Sequence, residues 1–319
     1  MLKELDLSYP YPSGCKNYTN YVDGVEALSL ALIKLQKVNL SGFPINNQSL
    51  CHLFINCKYL EEVIIFYCHE ITSAGLATAL RERPTLSYLS FSSYGVHEVL
   101  PTSLVSLKGL TSLDLRRLII SDELLYSIAR EGLPLTRFVL VRCRGHNYAG
   151  IICLLSSCQR IQHLVLKYTD FLVDQHVLEF SAFLVDLVSI NLSYCRRLTK
   201  SALFTLAKNS PSLSKIKMEN IGRKILLDLE SCDHISEGIC QVLRKCCKIR
   251  NLNLTCCSRV KLLGMNFVVP NLEVLNLSWS KTCVRKMQTT EKDYKVMGGI
   301  HINDKNRKLF SRHGCRIHY

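Results

Sequence analysis

Residues 60–76 read LEEVIIFYCHEITSAGL. Val63 and Ile65 place apolar side chains three and five residues after the apolar Leu60, and Cys68 and Ile71 continue the series. The alternation Val63–Ile65 predicts a short strand with every second side chain buried. Thr72 then precedes an apolar rhythm at Leu76, Ala79 and Leu80. A threonine there reads as an N-cap, because its oxygen accepts one of the free N–H groups of a first helical turn. The stretch is one strand, one tight turn and one helix.

The block recurs. Its first apolar residue falls at Leu2, Leu35, Leu60, Leu86, Leu110, Leu135, Ile161, Leu187, Leu213, Ile249 and Leu272. Eight of the ten steps lie between 23 and 26 residues, and the other two are 33 and 36. The pattern fits the template L-x-x-L-x-L-x-x-N/C-x-L of leucine-rich repeats. Close copies run Leu187, Ile190, Leu192, Cys195, Leu198 and Ile249, Leu252, Leu254, Cys257, Val260. Thr199, Ser236 and the Ser121-Asp122-Glu123 run supply further helix starts, and Pro84, Pro134, Pro211 and Pro270 fall between helix and strand. One such unit cannot bury its apolar face alone, so units stack into a continuous core. The expected fold class is α/β: a leucine-rich-repeat solenoid, or horseshoe, with parallel strands on the concave face and helices on the convex face. At a strand spacing of about 4.8 Å, eleven repeats give an inner arc of roughly 50 Å. That is a surface for a macromolecule rather than a cleft for a metabolite.

The expected domains are residues 1–280, a repeat domain of about eleven repeats, and residues 281–319, a basic and flexible C-terminal tail. The tail carries ten Lys/Arg and three Asp/Glu, against thirty and 23 in the rest of a chain of net charge +14. Its composition fits a solvated tail without function. Binding to an acidic surface, a role in nuclear import and an aberrant gene end are the other readings. The 36-residue step holds about ten extra residues at 222–231, read equally as a binding loop or a tolerated surface insertion.

The 16 cysteines fall into repeat columns. Cys68, Cys143, Cys195 and Cys257 lie eight residues after the first apolar position, and Cys57, Cys158 and Cys246 lie three before it. Small, weakly polar cysteine suits a tight turn as a buried hydrophobe. Zinc is the rival reading at Cys246-Cys247 and Cys256-Cys257, but no C-x-x-C pair or histidine partner completes a structural site. No Gly-rich phosphate loop, G-x-S-x-G elbow or H-E-x-x-H motif is present. We therefore expect no catalytic residues, no metal and no cofactor. No run of eighteen apolar residues and no secretory signal appears, and four of six Asn-x-Ser/Thr sequons share one strand column, at Asn39, Asn191, Asn253 and Asn276. The expected address is cytoplasmic or nuclear, without a membrane partner.

Residues two, four and six after each first apolar position should face the concave side. Most of these triplets are small and polar. The exceptions gather at Glu62, Ile64, Phe66, Tyr88, Arg116, Arg137, Val139, Val141, His163, Val165 and Lys167. Apolar and aromatic anchors flanked by arginine have the make-up of an interface core, although β-branched residues also suit strands. These residues are the expected partner-binding set, with a protein as partner and nucleic acid not expected. Tyr9, Tyr67, Tyr168, Tyr194 and Trp279 recur one position further on, either lining a rim or covering the core edge.

The C-x-x-[IL]-[TS] turns at Cys68–Thr72, Cys195–Thr199 and Cys232–Ser236 resemble the cysteine-containing subtype of leucine-rich repeats typical of F-box/LRR proteins. The opening LKELDLSYP and the phrases NLSYCRRLTKSAL and PNLEVLNLSW look like the plant branch of that family. The resemblance covers residues 1–280. It implies repeats that capture a substrate for a cullin-RING ubiquitin ligase of the SCF type, while an N-terminal F-box docks a Skp-type adaptor. This sequence begins inside a repeat and lacks the F-box, so an adaptor contact is expected only of a longer form. Leu2, Leu5 and Leu7 should accordingly leave an uncovered edge. A freestanding repeat scaffold, or an immune-receptor-type repeat domain without a ligase role, is the alternative.

Overall fold

The computed structural model describes residues 2–8, 19–93, 99–221, 248–253, 273–276 and 316–318. The chain divides into two compact units, Met1–Ile161 and Gln162–Tyr319.

The first unit alternates strand and helix: β1 Glu4–Asp6, α1 Thr19–Ala31, β2 Lys37–Asn39, α2 Asn47–Asn56, β3 Glu62–Ile65, α3 Ser73–Arg81, β4 Tyr88–Ser92, β5 Ser112–Arg116, α4 Asp122–Glu131, β6 Arg137–Val141 and α5 Tyr148–Ser157. Neighbouring strands pair in parallel from β1 to β6, in the register the repeat predicts: Val38 opposes Val63, Val63 opposes Leu89, and Leu113 opposes Phe138. After β4, a 24-residue repeat with Pro101 carries, among its described residues, a 3-10 turn at Thr102–Ser106 in place of an α-helix. The second unit holds β7 His163–Lys167, α6 Asp174–Ser181, β8 Ser189–Asn191, α7 Lys200–Asn209, β9 Lys215–Lys217, β10 Asn251–Asn253, β11 Val274–Asn276 and β12 Arg316–His318. These strands too are parallel and pair in sequence order. Strand β12 lies inside the segment read as tail, where no strand was expected. The 222–231 insertion, Cys232, Ser236, Cys246, Cys257, Tyr9 and Trp279 lie outside the described residues.

The repeat's apolar columns form the core. Leu60, Val63, Ile65, Cys68 and Ile71 are each at most 2% exposed, as are Leu187, Ile190, Leu192, Cys195 and Leu198. Full burial of one such aliphatic side chain is worth about 1.5–3 kcal/mol, which gives the repeated columns most of the driving force. In β1 the same positions are less covered: Leu2 is exposed, and Leu5 and Leu7 are half-buried or nearly so.

Polar side chains join one repeat to the next. Thr72, Ser121 and Thr199 cap α3, α4 and α7 by accepting from Gly75, Leu124 and Ser201 N–H. The residue opening one helix also holds the cap of the following one. Asn47 accepts from Thr72 N–H at 3.0 Å, Asp122 from Asn147 N–H at 3.0 Å, and Asp174 from Thr199 N–H at 2.8 Å. Gly150 permits this approach, since a Cβ there would stand 2.2 Å from Asp122 Oδ1.

The turn after each strand has a feature the sequence pattern did not reveal. Tyr67, Arg117, Arg142, Tyr168, Tyr194 and Asn220, each seven residues after its first apolar position, have φ between 55° and 67°. Gly42 occupies the same column at φ 71°. A left-handed conformation costs an L-residue roughly 1–2 kcal/mol. Backbone pairing to the following repeat holds it in place: Gly42 N–H donates to Phe66 O, Arg117 N–H to Val141 O and Tyr194 N–H to Glu219 O, at 2.7–2.9 Å. After Tyr67, Arg142 and Tyr194 the next residue is a cysteine. Its thiol donates back to the preceding repeat, Cys68 to Leu40 O and Cys195 to Leu166 O at 3.0 Å, and Cys143 to Leu115 O at 3.3 Å. Burial pushes the Cys68 and Cys195 thiols up to about 12, and Cys57, Cys143 and Cys158 up to about 11. Cys68, Cys143 and Cys195 thus belong to the packed turn, and Cys57 and Cys158 close α2 and α5.

Candidate functional site

Strand alternation sends the even-numbered repeat positions to the face opposite the core. In the first unit they form three rows. Glu62, Tyr88, Ser112 and Arg137 stand in the first; Ile64, Ser90, Asp114 and Val139 in the second; Ser92, Arg116 and Val141 in the third, beyond Phe66 on the β3 side. Glu62, Ile64, Phe66, Tyr88, Arg116, Arg137 and Val141 are half-buried, as a contact face requires. Val139 is a correction. It is 1% exposed and offers nothing to a partner. Arg137 leans from the first row toward Asp114, which opposes Val139 in the second.

Asp114 organises this face, and sequence reading treated it as one more small polar residue. It is 1% exposed. Arg116 meets both its oxygens, Nε to Oδ1 and Nη2 to Oδ2, each at 2.8 Å, while Arg137 Nη2 stands 3.7 Å from Oδ2. A planar guanidinium matches a carboxylate in this two-pronged way, and such bonds are about twice as strong as neutral ones. The Asp114 hydrogen bonds raise the Arg116 pKa above its ordinary value against the opposing cost of burial. The Arg116 guanidinium lies over the Phe66 ring at 4.4 Å. Phe66 is on the far side of β4, and only small Ser90 and Ser92, both fully covered, lie between. The small-residue triplet is therefore what lets arginine and aromatic ring meet across a strand. The signal available beforehand was an aspartate two residues before one arginine and one strand away from another.

The second unit carries a different face. His163, Val165 and Lys167 are half-buried on β7. His163 Nδ1 shares a hydrogen bond with Ser189 Oγ at 2.8 Å. Lys167 Nζ stands 6.0 and 5.5 Å from the rings of Tyr168 and Tyr194, which stack at 4.4 Å with their planes 11° apart. The left-handed turn column brings these tyrosines side by side, one repeat apart. The sequon column also finds a use: Asn39 and Asn191 each accept from the N–H two residues on, Ser41 and Ser193, at 3.1 Å. The N-L-S habit is thus a strand-end turn device.

The two faces supply guanidinium and ammonium groups, aromatic rings and hydrogen-bond partners. Among the described residues no group of three or more His, Cys, Asp and Glu is placed to hold a metal ion. No helix among them is long and apolar enough to cross a membrane.

No family model matches the chain. In sequence it is 27% identical over 198 residues to a transport inhibitor response 1-like protein of Oryza sativa subsp. japonica, covering 59% of this chain and 32% of that protein. The chain thus spans about a third of that relative's length. In fold it is similar to a chain of the yeast Rad7–Elc1 complex, with TM-score 0.62, 19% identity, and coverage of 96% of this chain and 75% of that one. A chain of the TLR13–ssRNA13 complex matches with TM-score 0.53 and 16% identity, over 88% of this chain and 40% of that one. Repeating columns, parallel strands and these likenesses agree that the chain is a leucine-rich-repeat protein of the α/β solenoid class.

Proposed function

We propose that the chain is a protein-interaction module, not an enzyme, and that a protein partner sits on its strand face. The observation that carries this reading is the cluster of Phe66, Arg116, Asp114 and Arg137. An arginine stacked on an aromatic ring and held by a buried carboxylate loses little side-chain freedom on binding, and rigid aromatic and arginine anchors dominate interface energetics. Ile64, Tyr88 and Val141 extend the patch, and His163, Val165 and Lys167 supply the contacts of the second unit. In this proposal residues 1–280 are the repeat domain and residues 281–319 a basic tail, and the protein works in the cytoplasm or nucleus.

Similarity to the rice protein, together with the cysteine-containing turns, supports descent from substrate-recognition repeats of SCF-type ubiquitin ligases. In that role the repeats hold the substrate, and adaptor docking belongs to a longer form with an F-box. Pull-down of a Skp-type adaptor with this chain and with any longer transcript separates ligase lineage in action from a freestanding scaffold: binding by neither form removes the ligase role. Independently, Phe66→Asp combined with Val141→Asp should abolish partner binding with an unchanged circular-dichroism melt. Unchanged affinity would remove the strand face from consideration.

A further inference from the structure

The charge on the first unit is unevenly placed. Residues 1–161 carry 15 Lys/Arg and 13 Asp/Glu, so the unit is nearly neutral. Yet five of its nine arginines, Arg116, Arg117, Arg137, Arg142 and Arg144, fall within β5, β6 and the turns that leave them. The only acid in the strands β4 to β6 is Asp114, buried beneath Arg116 and Arg137. Its single charge already serves two guanidiniums. Arg116 spends Nε and Nη2 on it, which leaves the Nη1 edge without an acceptor among the described residues. Arg117, exposed in its left-handed turn, meets no carboxylate among the described residues. This edge therefore holds an excess of positive charge beside the half-buried apolar side chains of Ile64, Phe66 and Val141.

Resting on the reading of this face as a partner site, we propose that the face of β3–β6 selects an extended acidic protein segment. Its carboxylate meets Arg117 and the open edges of Arg116 and Arg137, and a nearby apolar side chain packs on Ile64 and Phe66. Strands β3 and β5 are two spacings apart, roughly 10 Å, so acid and apolar residue lie about three positions apart on an extended chain. A nucleic acid fits less well. The basic edge is only two strands wide, and a phosphate chain continued toward β3 would run against Glu62, while Ile64 and Val141 give a phosphate nothing to hold. A carboxylate on a guanidinium edge is recognised in planar, two-pronged fashion, and an arginine is less costly to desolvate than a lysine.

The test uses the whole chain and two synthetic libraries of fluorescent peptides about ten residues long, enough to cross four strands. One library places Leu or Phe among Asp and Glu, and the other has Asn and Gln in their place. The acidic library should bind about tenfold more tightly or better. Arg117→Gln with Arg137→Gln should erase that advantage. Both side chains reach solvent and Arg116 stays on Asp114, so the melting temperature should hold, which separates lost binding from lost folding. Equal binding of both libraries, still abolished by Phe66→Asp, overturns the acidic partner while the partner face survives. Binding that ignores Phe66→Asp, or no binding by either library, overturns both. Oligouridine that binds through these arginines where peptides do not replaces the proposed partner with RNA.

Discussion

The strand faces of β3–β6 and of β7–β9 rest on the same backbone plan and do different things with it. Both bury Leu, Ile, Val and Phe at odd positions and turn through a left-handed residue, followed by cysteine at Cys68, Cys143 and Cys195. In β3–β6 the even positions concentrate arginine, aromatic and aliphatic groups around one buried carboxylate. In β7–β9 they hold histidine, serine, asparagine and lysine, and the aromatics have moved to the turn, where Tyr168 stacks on Tyr194. The contrast teaches that a repeat separates two tasks. One set of positions secures the fold, and the alternate set is left to vary, because period two keeps the two sets on opposite faces.

The shared part of the plan should respond alike in both units. Leu113→Ala in β5 and Leu164→Ala in β7 each empty a fully buried site and should each cost about 2–5 kcal/mol in urea unfolding. A loss confined to one of them would show that the columns are not equivalent. The differing part should respond unequally. Asp114→Ala strips two arginines of their carboxylate and should cost about 1–3 kcal/mol, reduced from the fully buried case because Arg116 and Arg137 keep some water. Asn191→Ala, at the corresponding position of β8, removes only a turn hydrogen bond and should cost about 1 kcal/mol.

The cysteine columns return both units to common behaviour. Folded thiols at about 11–12 sit above the unfolded value of about 8.5. The unfolded chain therefore releases their protons first as pH rises. Their contribution is intact below about pH 8.5 and is lost progressively between there and pH 11–12. Chemical unfolding under reducing conditions should show stability falling over that window, less steeply in a Cys68→Ala, Cys195→Ala variant. The smallest effect is the sharpest comparison. Arg117→Gly relieves a left-handed residue and should gain about 0.5 kcal/mol after the entropy glycine adds to the unfolded chain. Tyr194→Gly relieves the same strain but forfeits ring stacking worth about 0.5–1.5 kcal/mol, so its net effect should have the opposite sign.

Legibility followed distance along the chain. The strands β1 to β11, their register, the caps at Thr72, Ser121 and Thr199 and the packing role of cysteine were readable, because each depends on neighbours within a few residues and then repeats, whereas β12 in the segment read as tail was not. Which side chains stand on the face opposite the core was mostly readable too, since alternation assigns a side. Val139 failed because alternation assigns a side but not how deeply a side chain there is covered, and Val139 is 1% exposed. Asp114 was passed over because its weight lies in Arg116, Arg137 and, beyond them, Phe66 on another strand. The 3-10 turn at Thr102–Ser106 falls in a 24-residue step that carries Pro101 where others carry a cap, a signal the sequence did contain.

By itself the sequence determined the repeat, the parallel stacking and the division into buried and outward columns, because periodic burial of apolar surface admits few solutions. Only the tertiary structure decided which outward side chains act together. That choice rests on contacts between residues 23 to 50 positions apart, where short serines let an arginine cross a strand and one hidden carboxylate draws two guanidiniums to the same place.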